Sequence, residues 1–528
     1  MADHITINQK QEGAEKMERI ERYGSMEFVI SGIQSDRLTE GSAVFRNGED
    51  MRQVRAFRTG AGEYRVRFMP EKEGVWDYRI SICGREMEGA FECVPNTGNN
   101  HGKVMAAGDC FQYEDGERYI PFGTTCYAWI HQTEELQEQT LKSLSESPFN
   151  KIRMCVFPKS MPYNNNDPDC YPFYKKEDGA WDVTRPDQRF WEKLDKRILQ
   201  LGELGIEADL ILFHPYDRWG FAELSQEDSL AYLEYCIARL ASYRNIWWSL
   251  ANEYEMLFKK SEKDWDSYGE MLQEQDVYGH LISIHNIFAP YPKRDWMTHC
   301  SIQHQSAELD KILRWRREYQ LPIVIDECGY EGDLAFSWGS LTAFEMVHRF
   351  WWTMLRGGFC THGETFHRED EILWWAKGGR LYGESAPRIA FLKELLYSLP
   401  GKWHLPELAG KNPNEADAPD PDMSQEETSR FLPFLERLQN APEEARETFM
   451  AGSCPLRLEG ETWYLEYFNR IRPVYADLHL DKDRKYKAEV IDIWNMTRET
   501  AGEDLSGNVR ISLPAKEGTA ILVTESEG

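Results

Sequence analysis

Between residues 104 and 405 the chain repeats one hydrophobic pattern: a short apolar run, then an amphipathic stretch with apolar positions three and four residues apart. The apolar runs lie at 119–129, 151–157, 206–213, 245–251, 280–286, 297–303, 322–327 and 357–363. Between them, "DQRFWEKLDKRILQLGELG" places Phe190, Trp191, Leu194, Ile198, Leu201 and Leu204 on one helical face. "SLAYLEYCIARLASY" and "LTAFEMVHRFWWTMLRGG" behave in the same way. Eight such units predict a (β/α)8 TIM barrel. The link between the fifth and sixth runs is too short for a full helix, so that unit is the least regular.

The pattern differs on either side. Residues 14–98 alternate with period two: Tyr64, Val66 and Phe68 share one face, and Trp76, Tyr78 and Ile80 follow after the "PEKEG" turn. This predicts hairpins of an N-terminal Ig-like β-sandwich. "VPNTGNNHG" (94–102) reads as a linker. Residues 406–453 read as an acidic loop and helix, in which the Pro- and Asp-rich segment 409–427 is a surface loop or a lid. Residues 454–528 return to strands and predict a smaller C-terminal β-sandwich. The two sandwiches are expected to buttress the barrel or build a homo-oligomer, with carbohydrate binding as the alternative role. The expected architecture is therefore multidomain, with a barrel between two sandwiches.

Charge narrows the partners. A net charge of -28 excludes nucleic acid and anionic membrane surfaces, which repel an acidic protein. The N-terminal stretch has no apolar signal core, and no run reaches the length of a membrane span. The 11 cysteines are scattered without a C-x-x-C pair, and Cys155, Cys236, Cys300, Cys328 and Cys360 fall in apolar strands or helices. These features predict a cytoplasmic, bacterial-type protein with reduced thiols.

Two of the apolar runs break into carboxylates. "WWSLANEYEM" ends at Asn252-Glu253 and "PIVIDECGYEGD" ends at Asp326-Glu327. In a barrel of this type, side chains at the C-terminal strand ends carry the chemistry. Two carboxyl groups flanking one acetal bond are what glycoside hydrolysis requires, one protonated and one ionised. Other chemistries lack their marks. The first strand has no His-x-His, His299 and His304 fall on opposite faces of a strand, and there is no G-x-S-x-G, phosphate loop or dinucleotide fingerprint. No cofactor or metal is expected.

The pairing of Asn252-Glu253 at the end of strand four with Glu327 at the end of strand seven resembles the clan A glycoside hydrolases. Across nearly the whole chain, "GEYRVRFMPEKEGVWDYR", then "IPFGTTCYAW", then the barrel and a terminal sandwich, the sequence resembles the apiosidase-like group of bacterial glycosidases. The resemblance implies that Glu253 is the general acid/base, Glu327 the nucleophile, and Asn252 a ligand of the sugar 2-hydroxyl. It implies that Arg153 in strand two lies beneath the nucleophile, and that His214 at the end of strand three touches substrate. His285 with Asn286, and Gln303 with His304, end strands five and six and are candidates to bind hydroxyls or orient Glu253. The tyrosine that the clan places near strand six has no clear equivalent.

Sugars stack their CH faces on aromatic rings. Trp129 and Trp375 are the favoured platforms, ahead of Trp219 and Trp374. Glu364, after strand eight, is a third candidate acid, for substrate hydroxyls or as the nucleophile itself. The expected activity is a retaining glycoside hydrolase acting on oligosaccharides or glycosides of plant origin, imported and cut from one end. A non-catalytic sugar-binding or scaffold protein and a transglycosylase are the alternatives.

Overall fold

The computed structural model describes residues 4–8, 17–306, 311–401, 403–404, 432–434, 436–442, 445–446 and 456–526. The 409–427 segment lies outside them. Contacts divide the chain into two units: residues 1–303 with 363–381, and residues 304–362 with 382–528.

The first unit opens with a sheet of eight strands: His4–Asn8, Ser25–Ser31, Glu63–Phe68, Asp50–Gly60, Thr39–Asn47, Gly74–Ile82, Arg85–Val94 and Glu18–Glu21, in spatial order. Its core is aromatic. Phe45 stacks on Phe68 at 3.9 Å, and Trp76 meets Phe68 edge-on at 5.0 Å. The "PEKEG" turn is not the hairpin expected from the alternation. Strand Glu63–Phe68 pairs with Ser25–Ser31 and Asp50–Gly60, whereas Gly74–Ile82 pairs with Thr39–Asn47 and Arg85–Val94. Period-two alternation sets which face a residue takes, not which strand lies beside it.

Six parallel strands follow in the same unit: strand one (Phe122–Thr125), two (Lys151–Cys155), three (Glu207–Phe213), four (Ile246–Ala251), five (Ile282–Ser283) and six (Cys300–Gln303). One to five pair in sequence, and strand six joins five through a parallel bridge between His285 and Ser301. Every residue of strands two, three and four is buried, as a parallel sheet covered on both faces requires. Helices α1 (Glu134–Ser145), α2 (Gln188–Glu203), α3 (Gln226–Leu240) and α4 (Glu262–Gln275) alternate with strands one to five. Thr133, Asp187 and Ser225 cap the first three, and Ser261 with Asp264 forms a capping box on α4. No helix is assigned between strands five and six, as their short link implied.

The N-terminal sheet is anchored to the barrel helices by buried charge. Arg67 reaches Glu27 at 2.8 Å and Asp195 of α2 at 2.8 Å, and donates to the Arg239 carbonyl of α3 at 2.9 Å. Arg239 binds the same Asp195 at 2.6 Å. Despite full burial, these two guanidinium groups hold the Asp195 carboxyl well below the usual carboxylate range. The sheet is thereby tied to α2 and α3.

The second unit contributes strands seven (Ile323–Glu327) and eight (Phe359–His362), paired in parallel, with α5 (Ile312–Tyr319) before them and α6 (Ala343–Leu355) between. The eight parallel strands belong to one barrel-like sheet. Beyond it, antiparallel strands Leu456–Gly460, Trp463–Tyr467, Thr519–Glu525, Tyr486–Asp492 and Thr497–Leu505 form the C-terminal sheet, with a second pair, Tyr475–His479 and Asn508–Ser512, alongside. Leu478, Ile511, Ile521 and Val523 are in its core. His348 of α6 meets the Tyr467 hydroxyl at 2.8 Å. Among the described residues, no helix is long and apolar enough to cross a membrane. The five cysteines expected in apolar elements are all buried.

Removing the charge of Asp195 leaves the buried Arg239 guanidinium without its carboxylate and Arg67 with Glu27 alone. Asp195→Asn is expected to destabilise the protein by roughly 3–5 kcal/mol, read as a large fall in melting temperature. Glu207, buried at the start of strand three, has its carboxyl raised from 4.5 to about 8 by burial, partly offset by the Trp247 indole at 3.1 Å. Because the folded value is raised, its stabilising contribution is full below 4.5 and lost as pH rises through 8. Glu207→Gln should flatten the fall in melting temperature over that window; an unchanged profile would contradict the protonated assignment.

Candidate active site

Strand four is apolar to Ala251 and then turns. Asn252 donates its backbone N–H to the Phe213 carbonyl at 2.9 Å, which keeps it in register with strand three. Glu253 then adopts a left-handed backbone, with φ 48° and ψ 54°. A glutamate rarely occupies this region, and such strain collects at functional positions. The short 3-10 turn Tyr254–Met256 follows, fixed by the Tyr254 N–H on the His285 carbonyl at 3.1 Å.

The Asn252 side chain is enclosed. Its Oδ1 accepts from Arg153 Nη2 at 3.1 Å and from the Tyr127 hydroxyl at 3.4 Å. Its Nδ2 has no hydrogen-bond partner among the described residues. A buried amide donor of this kind is costly unless something accepts from it. Arg153 is itself fully buried and lies 3.7 Å from Asp209, which also binds Lys151 at 2.7 Å. Arg153 thus positions Asn252 and answers a carboxylate of strand three.

Glu253 is nearly buried, and its Oε2 accepts from the Tyr216 hydroxyl. Tyr216 lies two residues beyond His214, in the loop after strand three. Lys159, in the loop after strand two, sits with its ammonium 3.3 Å from the centre of the Tyr127 ring and 4.4 Å from that of Tyr216. His214 Nε2 meets the Phe157 carbonyl at 3.2 Å, and Nδ1 has no partner among the described residues. Burial, assisted by the Lys159 charge, drops its pKa to about 3, so the ring is neutral. His285 is enclosed, with Nδ1 3.1 Å from the Ser301 hydroxyl. Asn286 is committed to local backbone: it donates to the Ala289 carbonyl and accepts from the Gln303 N–H. Gln303 is half-buried.

Of the two favoured platforms, Trp129 is corrected. Its ring is fully enclosed and its indole donates to Met154 Sδ at 3.4 Å, so it is core and offers no face to a sugar. Trp375 keeps 6% of its surface and stands edge-on to Tyr127 at 6.1 Å. Trp219 donates to Asp167 nearer the surface. Glu364 is buried, and its charge adds to the burial that raises the Cys126 thiol.

In the second unit, Glu327 ends strand seven almost buried, and its carbonyl accepts the His304 N–H at 2.9 Å. His304 stands edge-on to Trp315 at 5.3 Å. The preceding Asp326 accepts from Thr361 of strand eight at 2.7 Å, and the Cys328 carbonyl accepts from Arg349 of α6. Gly329 then turns the chain at φ +89°. Glu327 is therefore held through its own carbonyl and through both of its chain neighbours.

Tyr127, Tyr216 and Lys159 were not singled out in the sequence. Tyr216 stands in "HPYD" beside a residue that was, and Tyr127 stands two residues before Trp129.

Residues 106–401 match the family described as "Apiosidase-like, catalytic domain". A crystallised Bacteroides vulgatus protein assigned as a glycoside hydrolase is 33% identical, aligned over 97% of this chain and all of its own, with a TM-score of 0.82. The chain belongs to the apiosidase-like catalytic domain family. It is a glycosidase by that membership, and the flanking regions match two domain families of unknown function, DUF5060 over residues 20–82 and DUF5605 over 453–524. A family 5 glycoside hydrolase from the same species shares the fold at 14% identity, covering 81% of this chain and 94% of its own, with a TM-score of 0.58. No curated protein matches the chain.

Proposed function

We propose that this apiosidase-like enzyme is a retaining glycoside hydrolase in which Glu327 is the nucleophile and Glu253 the acid/base. The observation that carries the reading is the strained, tyrosine-held Glu253 at the end of strand four, next to an Asn252 whose buried amide lacks an acceptor among the described residues. That amide suits a sugar hydroxyl, such as the 2-hydroxyl, where a bond can strengthen toward the oxocarbenium-like transition state. Glu327 attacks the anomeric carbon as Glu253 protonates the departing oxygen. Glu253 then takes a proton from water, which opens the glycosyl ester and releases the sugar. Oligosaccharides or glycosides derived from plant polysaccharide are the proposed substrates. Neutral His214 and the ring of Trp375 are proposed to contact the sugar.

Glu327→Ala should abolish turnover of aryl glycosides, and added azide should restore formation of a glycosyl azide of inverted configuration. Wild-type rates in that variant would move the nucleophile to Glu364. Glu253→Ala should lose about 10²–10⁴-fold in kcat/KM on substrates with poor leaving groups and much less on nitrophenyl glycosides. Equal losses on both would remove Glu253 from the acid role. A complex with a covalent fluorosugar should show the two carboxyl groups about 5–5.5 Å apart; about 6.5–9.5 Å would indicate inversion.

A further inference from the structure

Lys159 is a buried cation outside the roles described above, with only 2% of its surface exposed. Its loop is pinned by the Ser160 N–H on the Tyr216 carbonyl at 2.8 Å and by Asn164 Nδ2 on the Lys159 carbonyl. Gln132 holds Asn164 in turn, at 3.1 Å. The ammonium is thus fixed against both the Tyr127 and Tyr216 rings. A desolvated cation on an aromatic face is a strong electrostatic contact. It draws electron density from the Tyr216 ring, and polarisation of this kind strengthens the next hydrogen bond in the chain. That next bond is the one from the Tyr216 hydroxyl to Glu253.

A hydrogen bond donated to a carboxylate favours its ionised form. A retaining glycosidase uses its acid/base twice, protonated when the leaving group departs and ionised when water attacks the ester. Resting on the function proposed above, we infer that Lys159 and Tyr216 are positioning residues that orient Glu253 and favour the ionised form needed for the second step.

Other charged or titratable groups border Glu253. Glu255, on the same turn, accepts the N–H groups of Ile287, Phe288 and Ala289. His285, just beyond strand five, accepts the Tyr254 N–H at its carbonyl, and its ring faces Ser301. Arg153 of strand two acts on neighbouring Asn252. These contacts are independent of the Tyr216 hydroxyl.

The test is an infrared titration of the Glu253 carboxyl, isolated by subtracting the spectrum of Glu253→Gln. Tyr216→Phe and Lys159→Met should each raise its midpoint by about one pH unit. Lys159→Arg should restore it. On a nitrophenyl glycoside, where the second step limits turnover, both variants should lower kcat on the order of tenfold and leave kcat/KM within about twofold. An unmoved midpoint, or parallel falls in kcat and kcat/KM, overturns the inference. A moved midpoint in a protein that turns over no glycoside would keep the coupling of Lys159 and Tyr216 to Glu253 and remove the hydrolase reading instead.

Discussion

Charge buried in the barrel must be matched where it stands, and the geometry of Glu253 descends from that requirement. Lys151 and Arg153 alternate along strand two and share Asp209 of strand three. Arg153 also donates to the side-chain amide oxygen of Asn252, which fixes that side chain at the end of strand four. With Asn252 held by its side chain and by its N–H on strand three, the chain must turn at the next residue, and Glu253 takes a left-handed backbone. The strain is sustained because its neighbours over-determine it.

The rim of the site is assembled from loops that the barrel brings side by side. Strand two supplies Lys159, strand three Tyr216 and strand four Glu253, so three consecutive strands build one electrostatic chain. Its direction matters. The Lys159 ammonium faces the Tyr216 ring, and the Tyr216 hydroxyl donates to the Glu253 carboxyl. His214 lies within the same field, and burial with the Lys159 charge keeps its ring neutral.

The barrel strands were legible because parallel strands buried on both faces are continuous apolar runs, and "IWWSLA" and "EADLILF" are both fully buried. The strand-end positions of Asn252, Glu253 and Glu327 were legible because a polar break marks where such an apolar run stops. The Tyr216 and Lys159 contacts were not, since they join loops from different strands and leave no local periodicity. Trp129 misled because a tryptophan at a strand end reads alike whether its ring meets a cavity or Met154. The turn after Phe68 misled because alternation carries no information about which strand lies alongside.

The tie through Arg67, Asp195 and Arg239 bears on how such a chain can evolve. A barrel whose Asp195 carboxylate is answered in part by a guanidinium of the neighbouring sheet is not an interchangeable part. Recombination that cut at the 94–102 segment would strip Arg67 from Asp195 and leave that carboxylate with the Arg239 guanidinium alone. The sheet and the barrel should accordingly travel through descent together, as one heritable piece.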